Sequence, residues 1–249
     1  MKEYFPPKQK IIAAIPAYNE AKYIGQVVRQ TTKYVHQVIV VDDGSTDETT
    51  QVAKAAGATV IRHEINQNYG GAIKSCFKAA RKLAADILVT IDGDGQHNAT
   101  EIPLLITPII KGEADIVIGS RFLNGHNGIP RYRKFGIDVI TWLYNFGSSI
   151  KLSDAQCGFR AYNKKALDNL LSLKENKMAI SVETIIKARK YGLTMYEAPV
   201  SCIYHAQSST LNPVTHGLSV ALATVRHRLH PMNIPFPQEN IQVTEAKNQ

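Results

Sequence analysis

Residues 87–94 read Ile-Leu-Val-Thr-Ile-Asp-Gly-Asp, an apolar run that ends on two carboxylates separated by one glycine. A short apolar, β-branched run of this kind fits a strand buried on both faces, as in a parallel sheet covered by helices. An isolated Asp-x-Asp reads first as a solvated turn. At the mouth of a buried strand, Asp92 and Asp94 can point into one cleft. Paired oxygen ligands of this kind suit a hard divalent cation such as magnesium or manganese.

The same pattern repeats on either side. Lys10 to Ile15 and His36 to Val41 also read as short buried strands, and Thr59 to Ile61 and Asp115 to Ile118 as further short strands. Between them, Glu20–Tyr34, Asp47–Ala56, Gly71–Ala84 and Ala99–Lys111 carry apolar residues at helical spacing, although Pro103 and Pro108 disturb the last. Alternating strands and helices predict an α/β fold with a doubly wound, mostly parallel sheet flanked by helices. In such sheets ligands bind beyond the carboxyl ends of the strands. Polar clusters fall at those ends: Ala17-Tyr18-Asn19-Glu20, Asp42-Asp43-Gly44-Ser45, Asp92-Gly93-Asp94 and Ser120-Arg121.

Each cluster suggests chemistry. Asp43 can accept hydrogen bonds from a base or ribose, and Asp47 can cap the following helix. Glu20 either lines a nucleoside pocket or favours a helix N-terminus. Gly70 and Gly71 allow close backbone approach at a helix start, but no Gly-Lys-Ser/Thr follows, so this is not a P-loop. Arg121, Arg131 and Arg133 are guanidinium groups suited to phosphate oxygens.

After Arg121 the regularity breaks. A glycine-rich loop, Asn124 to Gly128, precedes an amphipathic stretch from Phe135 to Ile150 with Trp142 in it. That stretch can lie on a bilayer surface, on its own domain or on a second copy of the chain. Phe159–Tyr162 is predicted as a strand, Lys164–Leu171, Val182–Lys190 and Thr215–Leu229 as helices, and Thr194–Ala198 and Val200–Tyr204 as extended. Residues 1–230 are expected to form one domain, and 231–249 a polar, loosely attached tail.

Lys plus Arg number 29 against 21 Asp plus Glu, a formal charge of +8 that favours anionic partners without choosing among them. The basic residues are not interleaved with aromatics, so nucleic acid is not expected as a partner. Cys76, Cys157 and Cys202 are few and far apart, with neither zinc spacing nor a disulfide framework, which suits a reducing compartment. The polar, proline-broken start predicts no secretory signal, and no apolar run reaches the roughly 18 residues of a membrane span. The expected location is cytoplasmic, with peripheral contact to the cytoplasmic face of a membrane.

Taken in order, Pro16-Ala17-Tyr18-Asn19-Glu20, Asp42-Asp43-Gly44-Ser45-Thr46-Asp47, Asn68-x-Gly70-Gly71-Ala72, Asp92-Gly93-Asp94-Gly95-Gln96, Gly119-Ser120-Arg121, Asp154-x-x-Cys157-Gly158-Phe159-Arg160 and Pro199-Val200 resemble family 2 glycosyltransferases. Within that family the resemblance is to dolichol-phosphate mannose synthases and polyprenyl-phosphate glycosyltransferases, over about residues 10–204. It implies a GT-A fold and an inverting transfer of a hexosyl group from a GDP- or UDP-sugar to a polyprenyl phosphate, with Mg2+ or Mn2+. Carried over by position, Pro16, Tyr18, Glu20, Asp43, Asp92, Gly93 and Asp94 would line the nucleotide-sugar site. Asp92, Asp94 and Gln96 would surround the metal. Arg121, Arg131 and Arg133 would hold the acceptor phosphate, and Asp94, Arg121 and Arg131 would be catalytic. A phosphate monoester is largely ionised at neutral pH, so the attack needs no strong base; for a hydroxyl acceptor, Asp154 is the nearest candidate base.

Two features depart from the family pattern. Where an arginine, a glycine and a serine-lysine are usual after Pro-Val, this chain has Ser201 to Thr210, with His205 and Ser208–Thr210 as candidates for related phosphate work. The C-terminal membrane spans of some relatives are not present in this sequence. A haloacid-dehalogenase-like phosphohydrolase with Asp92 as nucleophile is the competing enzyme class, although Gln96 stands where that class wants threonine or valine. A non-catalytic nucleotide-sugar binder would be expected to lack the acidic pair.

Overall fold

The computed structural model of the chain describes residues 9–123, 131–145 and 151–203. The first part runs β1 (Ile11–Ala17), α1 (Ile24–Thr31), β2 (Gln37–Asp42), α2 (Thr49–Ala55), β3 (Thr59–Arg62), α3 (Tyr69–Lys82) and β4 (Ile87–Thr90). A 3-10 turn at Ala99–Glu101 leads into α4 (Ile102–Ile110) and β5 (Ile116–Ser120). Then come α5 (Arg131–Asn145), β6 (Arg160–Asn163), α6 (Lys164–Asn169), α7 (Ile180–Lys190) and β7 (Met195–Pro199).

The strands lie in the order β3-β2-β1-β4-β6-β5-β7. All neighbours are parallel except β6, which runs antiparallel to both β4 and β5. The expected mostly parallel, doubly wound sheet is therefore present, with one reversed strand inserted. Strand order reverses around β1: β2 pairs on one side of it and β4 on the other. That switch opens a crevice at the carboxyl ends of β1 and β4.

Alternation along the strands divides the core in two. Ile12, Ala14, Ile39, Val41 and Leu88 face α3, α6 and α7, where Phe77 meets Tyr162 edge-on at 4.9 Å. Ile11, Ala13, Ile15, Val38, Val40, Ile87 and Val89 face α1 and α4 through Ile24, Val28, Ile102 and Leu105. Each fully buried aliphatic or aromatic side chain contributes about 1.5–3 kcal/mol. The helix expected from Ala99 keeps both prolines: Pro103 stands in the first turn of α4, where its missing N–H costs nothing, and Pro108 lies near the end.

Several boundaries differ from expectation. Glu20 does not begin a helix; its carbonyl accepts from the N–H of Tyr23 and Ile24 in a turn, and α1 starts at Ile24. The extended stretch expected from Val200 is irregular over Ser201–Ile203. Instead of pairing in the sheet, the Ser201 N–H donates to Glu101 and the Ile203 N–H to the carbonyl of Gln96. α5 buries Ile140 and Thr141 while leaving Val139 and Trp142 exposed, so one face of the amphipathic stretch packs on its own domain. The Asn124–Gly128 loop, Ile150, His205, Ser208–Thr210, the Thr215–Leu229 helix and the 231–249 tail lie outside the described residues. Among the described residues no helix is long and apolar enough to cross a membrane.

Candidate functional site

β4 ends beside β1, with Ala14 paired to Thr90, so the following turn emerges next to Pro16 and Ala17. Gly93 packs closely there: an added Cβ would be 3.3 Å from the Pro16 carbonyl and 3.4 Å from the Ala17 Cβ. Gly95 adopts φ +75° against the Tyr23 ring, and the Gln96 N–H donates to Asp94 Oδ1 at 3.0 Å, closing the turn.

Asp92 is held on three sides. The Tyr69 hydroxyl donates to Oδ1 at 3.1 Å, and His97 Nε2 lies 3.5 Å from Oδ2. Gly158 presses on the third side, where an added Cβ would stand 2.6 Å from Oδ2. Burial pushes the Asp92 carboxyl up, but His97, Tyr69 and Arg121 outweigh it and hold it below its ordinary value. His97 is itself buried against Phe159, ring centres 5.3 Å apart.

The loops after β1 and β2 are zipped together. Asn19, at φ 57°, receives the Thr46 N–H on its Oδ1 at 2.8 Å, and its own N–H donates to Ser45 Oγ at 2.9 Å. The Glu20 N–H donates to Thr49 Oγ1 and the Ala21 N–H to Asp47. Asp47 also accepts from the Thr49 N–H, but the N-cap position of α2 is Glu48, so Asp47 braces the turn before the helix from one residue outside the cap expected of it. The two adjacent aspartates divide their work. Asp42 is fully buried and accepts from the Ser45 N–H and the Thr50 hydroxyl. Asp43 accepts on Oδ1 from the Gln67 N–H at 2.9 Å and faces His63 Nδ1 at 2.6 Å.

The cleft is acidic. Burial first, then the charges of Asp94, Asp47 and Asp92, push the Glu20 carboxyl up to about 7. A divalent cation would relieve that crowding. Among the described residues no group of three or more His, Cys, Asp and Glu forms a metal cage. Two carboxylates nevertheless fit a cation of the magnesium type, which is commonly held by one or two carboxylates plus the phosphates of its substrate. Gln96, expected beside the metal, follows Asp94 in this turn and also ties it to the segment after β7, with its Oε1 3.7 Å from Cys202 Sγ.

Arg121 follows β5 at the same edge of the sheet. Its Nε and Nη2 form a bidentate pair with Asp154 at 2.6 and 2.9 Å. Asp154 is fully buried; burial pushes its carboxyl up, but Arg121 more than offsets this and lowers it. A buried, ion-paired carboxylate is a poor proton acceptor, which counts against Asp154 as a base. Glu197 underpins the pair by accepting the N–H groups of Ser153 and Asp154. Arg131 and Arg133 lie in the first turn of α5, with their side chains outside the described residues. Tyr18 is exposed at the rim, and Pro16 lies within β1.

The paired glycines at the start of α3 face protein. A Cβ on Gly70 would come within 2.6 Å of the Glu175–Asn176 backbone, and one on Gly71 within 2.5 Å of Gln67. Sequence reasoning passed over Tyr69 and His63. A strand register would have revealed His63: Arg62 pairs with Asp42, so the next residue sits beside Asp43.

The model of the family described as Glycosyl transferase family 2 matches residues 12–171. The chain belongs to this family. Among similar family members is the UDP-N-acetylglucosamine–dolichyl-phosphate N-acetylglucosaminyltransferase of Methanococcus voltae. It is 34% identical over 78% of this chain and 86% of its own length. An uncharacterized protein of Methanocaldococcus jannaschii is 34% identical over 84% of this chain and 88% of its own. The undecaprenyl-phosphate 4-deoxy-4-formamido-L-arabinose transferase of Klebsiella pneumoniae is 28% identical, and the match spans 58% of that longer protein. The resemblance to polyprenyl-phosphate glycosyltransferases therefore holds. The fold is GT-A. A Mycobacterium tuberculosis glucosyl-3-phosphoglycerate synthase solved with Mn2+, UDP-glucose and phosphoglyceric acid superposes with a TM-score of 0.71 at 20% identity, over 91% of this chain and 82% of that one. As a family 2 glycosyltransferase, the chain places its acidic pair at the switch point of this fold.

Proposed function

We propose that this glycosyltransferase moves a sugar from a nucleoside-diphosphate donor to the phosphate of a polyprenol, at a membrane surface and with inversion. The observation that carries the reading is the Asp92–Asp94 turn at the crevice between β1 and β4, next to the nucleoside candidates Glu20 and Asp43. The Methanococcus voltae relative, whose name specifies UDP-N-acetylglucosamine and dolichyl phosphate, supports the acceptor class and makes a UDP-sugar the first donor to try. GDP-mannose is the second.

Asp92 and Asp94 are the residues that would hold a magnesium or manganese ion, and the bound ion would neutralise charge on the departing diphosphate. Asp92 needs no reorientation, because Tyr69, His97 and Gly158 already fix it. Asp43 offers an acceptor to the nucleoside. Arg121, braced by Asp154, adds fixed positive charge near Asp92, and Arg131 and Arg133 are further candidates for the acceptor phosphate. A phosphate acceptor with a second pKa of about 6 attacks without a base. That agrees with the burial of Asp154. Three buried free thiols suit a reducing compartment and so a peripheral place on the cytoplasmic face.

The test is a donor panel with Mn2+ and vesicles containing polyprenyl phosphate or polyprenol, reading glycolipid by mass. Product with the phosphate, none with the alcohol, and loss on adding a chelator are expected. Product with the alcohol alone would favour a hydroxyl acceptor. Release of inorganic phosphate without a nucleotide-sugar would favour a phosphohydrolase.

A further inference from the structure

Asp43, Asp92 and Arg121 are all held by partners, and Asp43 is tied through a histidine to the middle of α3. His63 Nδ1 lies 2.6 Å from Asp43 Oδ1, and His63 Nε2 lies 2.8 Å from Ser75 Oγ on α3. Asp43 and His63 are both buried, at 3% and 9% exposure. An ionised carboxylate can only accept, so Nδ1 carries the hydrogen. In the neutral ring, Nε2 then accepts from the Ser75 hydroxyl. The Gln67 N–H reaches the same Oδ1 at 2.9 Å. The Asp43 N–H donates to the Ala17 carbonyl, and the His63 N–H to that of Asp42.

The order Ser75–His63–Asp43 has the connectivity of a hydrolytic triad. Ser75 sits within α3, however, where the surrounding N–H groups serve the helix ladder and supply no oxyanion donors. The chain of bonds therefore acts on the aspartate rather than on the serine.

We propose that His63 is a positioning residue. It fixes the Asp43 carboxylate as an oriented acceptor for the ring N–H of a nucleobase, and Ser75 anchors His63 in turn. This rests on the reading of Asp43 as a nucleoside contact. Two donors converge on Oδ1, so the carboxylate plane is set before a nucleotide arrives. A fixed acceptor suits uracil and guanine, which carry a ring N–H, and disfavours cytosine and adenine, which do not. Pre-organisation of this kind strengthens binding by removing an ordering cost.

The test is calorimetric binding of UDP, GDP and CDP, each with Mn2+, to the full chain and to His63→Ala, His63→Asn, Ser75→Ala and Asp43→Ala. Thermal unfolding of each variant is recorded alongside. His63→Ala should weaken the preferred nucleotide on the order of tenfold and narrow its advantage over CDP, as expected when a bond to a charged group is lost. His63→Asn, whose amide N–H can replace Nδ1–H, should recover binding to within about threefold of the wild type. Ser75→Ala should fall between the two.

Wild-type affinity in His63→Ala overturns the proposal. So does His63→Asn binding as weakly as His63→Ala, because a purely structural role gains nothing from the amide. Should His63→Ala fail to fold, the Asn and Ser75 variants decide, and wild-type affinity and discrimination in Ser75→Ala would remove the anchoring. If Asp43→Ala binds like the wild type, or the wild type binds neither UDP nor GDP, the underlying nucleoside reading fails as well.

Discussion

Gly158→Ala tests the geometry around Asp92 directly. Gly158 is not in the left-handed region, so alanine meets no backbone penalty and its cost is steric. The added methyl would stand 2.6 Å from Asp92 Oδ2, 2.7 Å from the Tyr69 hydroxyl and 2.8 Å from Asp92 Oδ1. Ordinary contact begins near 3.4 Å, so the carboxylate must retreat by roughly 0.8 Å or the 157–159 segment must lift. Overpacking of this kind costs about 1–3 kcal/mol. In a chain of this size that is roughly 2–4 °C of Tm per kcal/mol. Displacing a catalytic contact by nearly 1 Å lowers turnover on the order of 100-fold. Disturbing a group that orients a metal ligand weakens metal binding about 10–100-fold. Mn2+ titration followed by the electron spin resonance of free Mn2+, with UDP present, reads the ligand geometry, and a thermal scan reads the packing. A Gly158→Ala protein with wild-type Tm, Mn2+ affinity and turnover would refute the reasoning.

Three further outcomes are expected. Asp94→Ala should lower glycolipid formation at least about 100-fold while leaving Tm near the wild-type value; full turnover in that variant would remove the metal assignment. Glu20, pushed up to about 7, binds its proton more tightly folded than unfolded, so its stabilising contribution is present below about 4.5 and lost as pH rises through 7. Across that window the Tm of the wild type should decline relative to Glu20→Gln, and parallel curves would contradict the acidic crowding. Arg121→Ala should cost about 3–5 kcal/mol in urea unfolding, because it strands the buried Asp154 charge. The depressed Asp154 carboxyl stabilises the wild type above the ordinary carboxylate range and loses that effect as pH falls. The deficit of the variant should therefore hold down to about pH 4 and shrink below it; a deficit that stays constant as the pH is taken further into the acid range would point to lost packing instead.

The sheet was legible because strands such as Ile11–Ile15 and Ile87–Ile91 are apolar throughout and the segments between them have helical spacing. The acidic pair was legible because it follows one of those strands directly. The reversal of β6 was not, since a four-residue strand carries no mark of its direction. Contacts between distant segments were also hidden. Arg121 reads as a free phosphate ligand until Asp154, 33 positions later, is seen beneath it. Gly70 and Gly71 read as ligand-facing until Asn176 and Gln67 are found against them. Residue type gives the chemistry a side chain can do, whereas its partners depend on register and on loops that carry no periodicity.

The reversed strand also bears on synthesis of the chain. β5 hydrogen-bonds to β6 and β7, both of which follow it in the chain. A nascent chain that has reached Ser120 can build β3-β2-β1-β4, but β4 then presents a bare edge and β5 has no neighbour. Unpaired edges of buried, hydrophobic strands are sites of wrong association. Only when Arg160–Asn163 is threaded between them do both strands gain partners, and that same segment brings Gly158 against Asp92. Joining the β3-β2-β1-β4 half of the sheet to β5 and walling the acidic site with Gly158 thus depend on the same segment of chain.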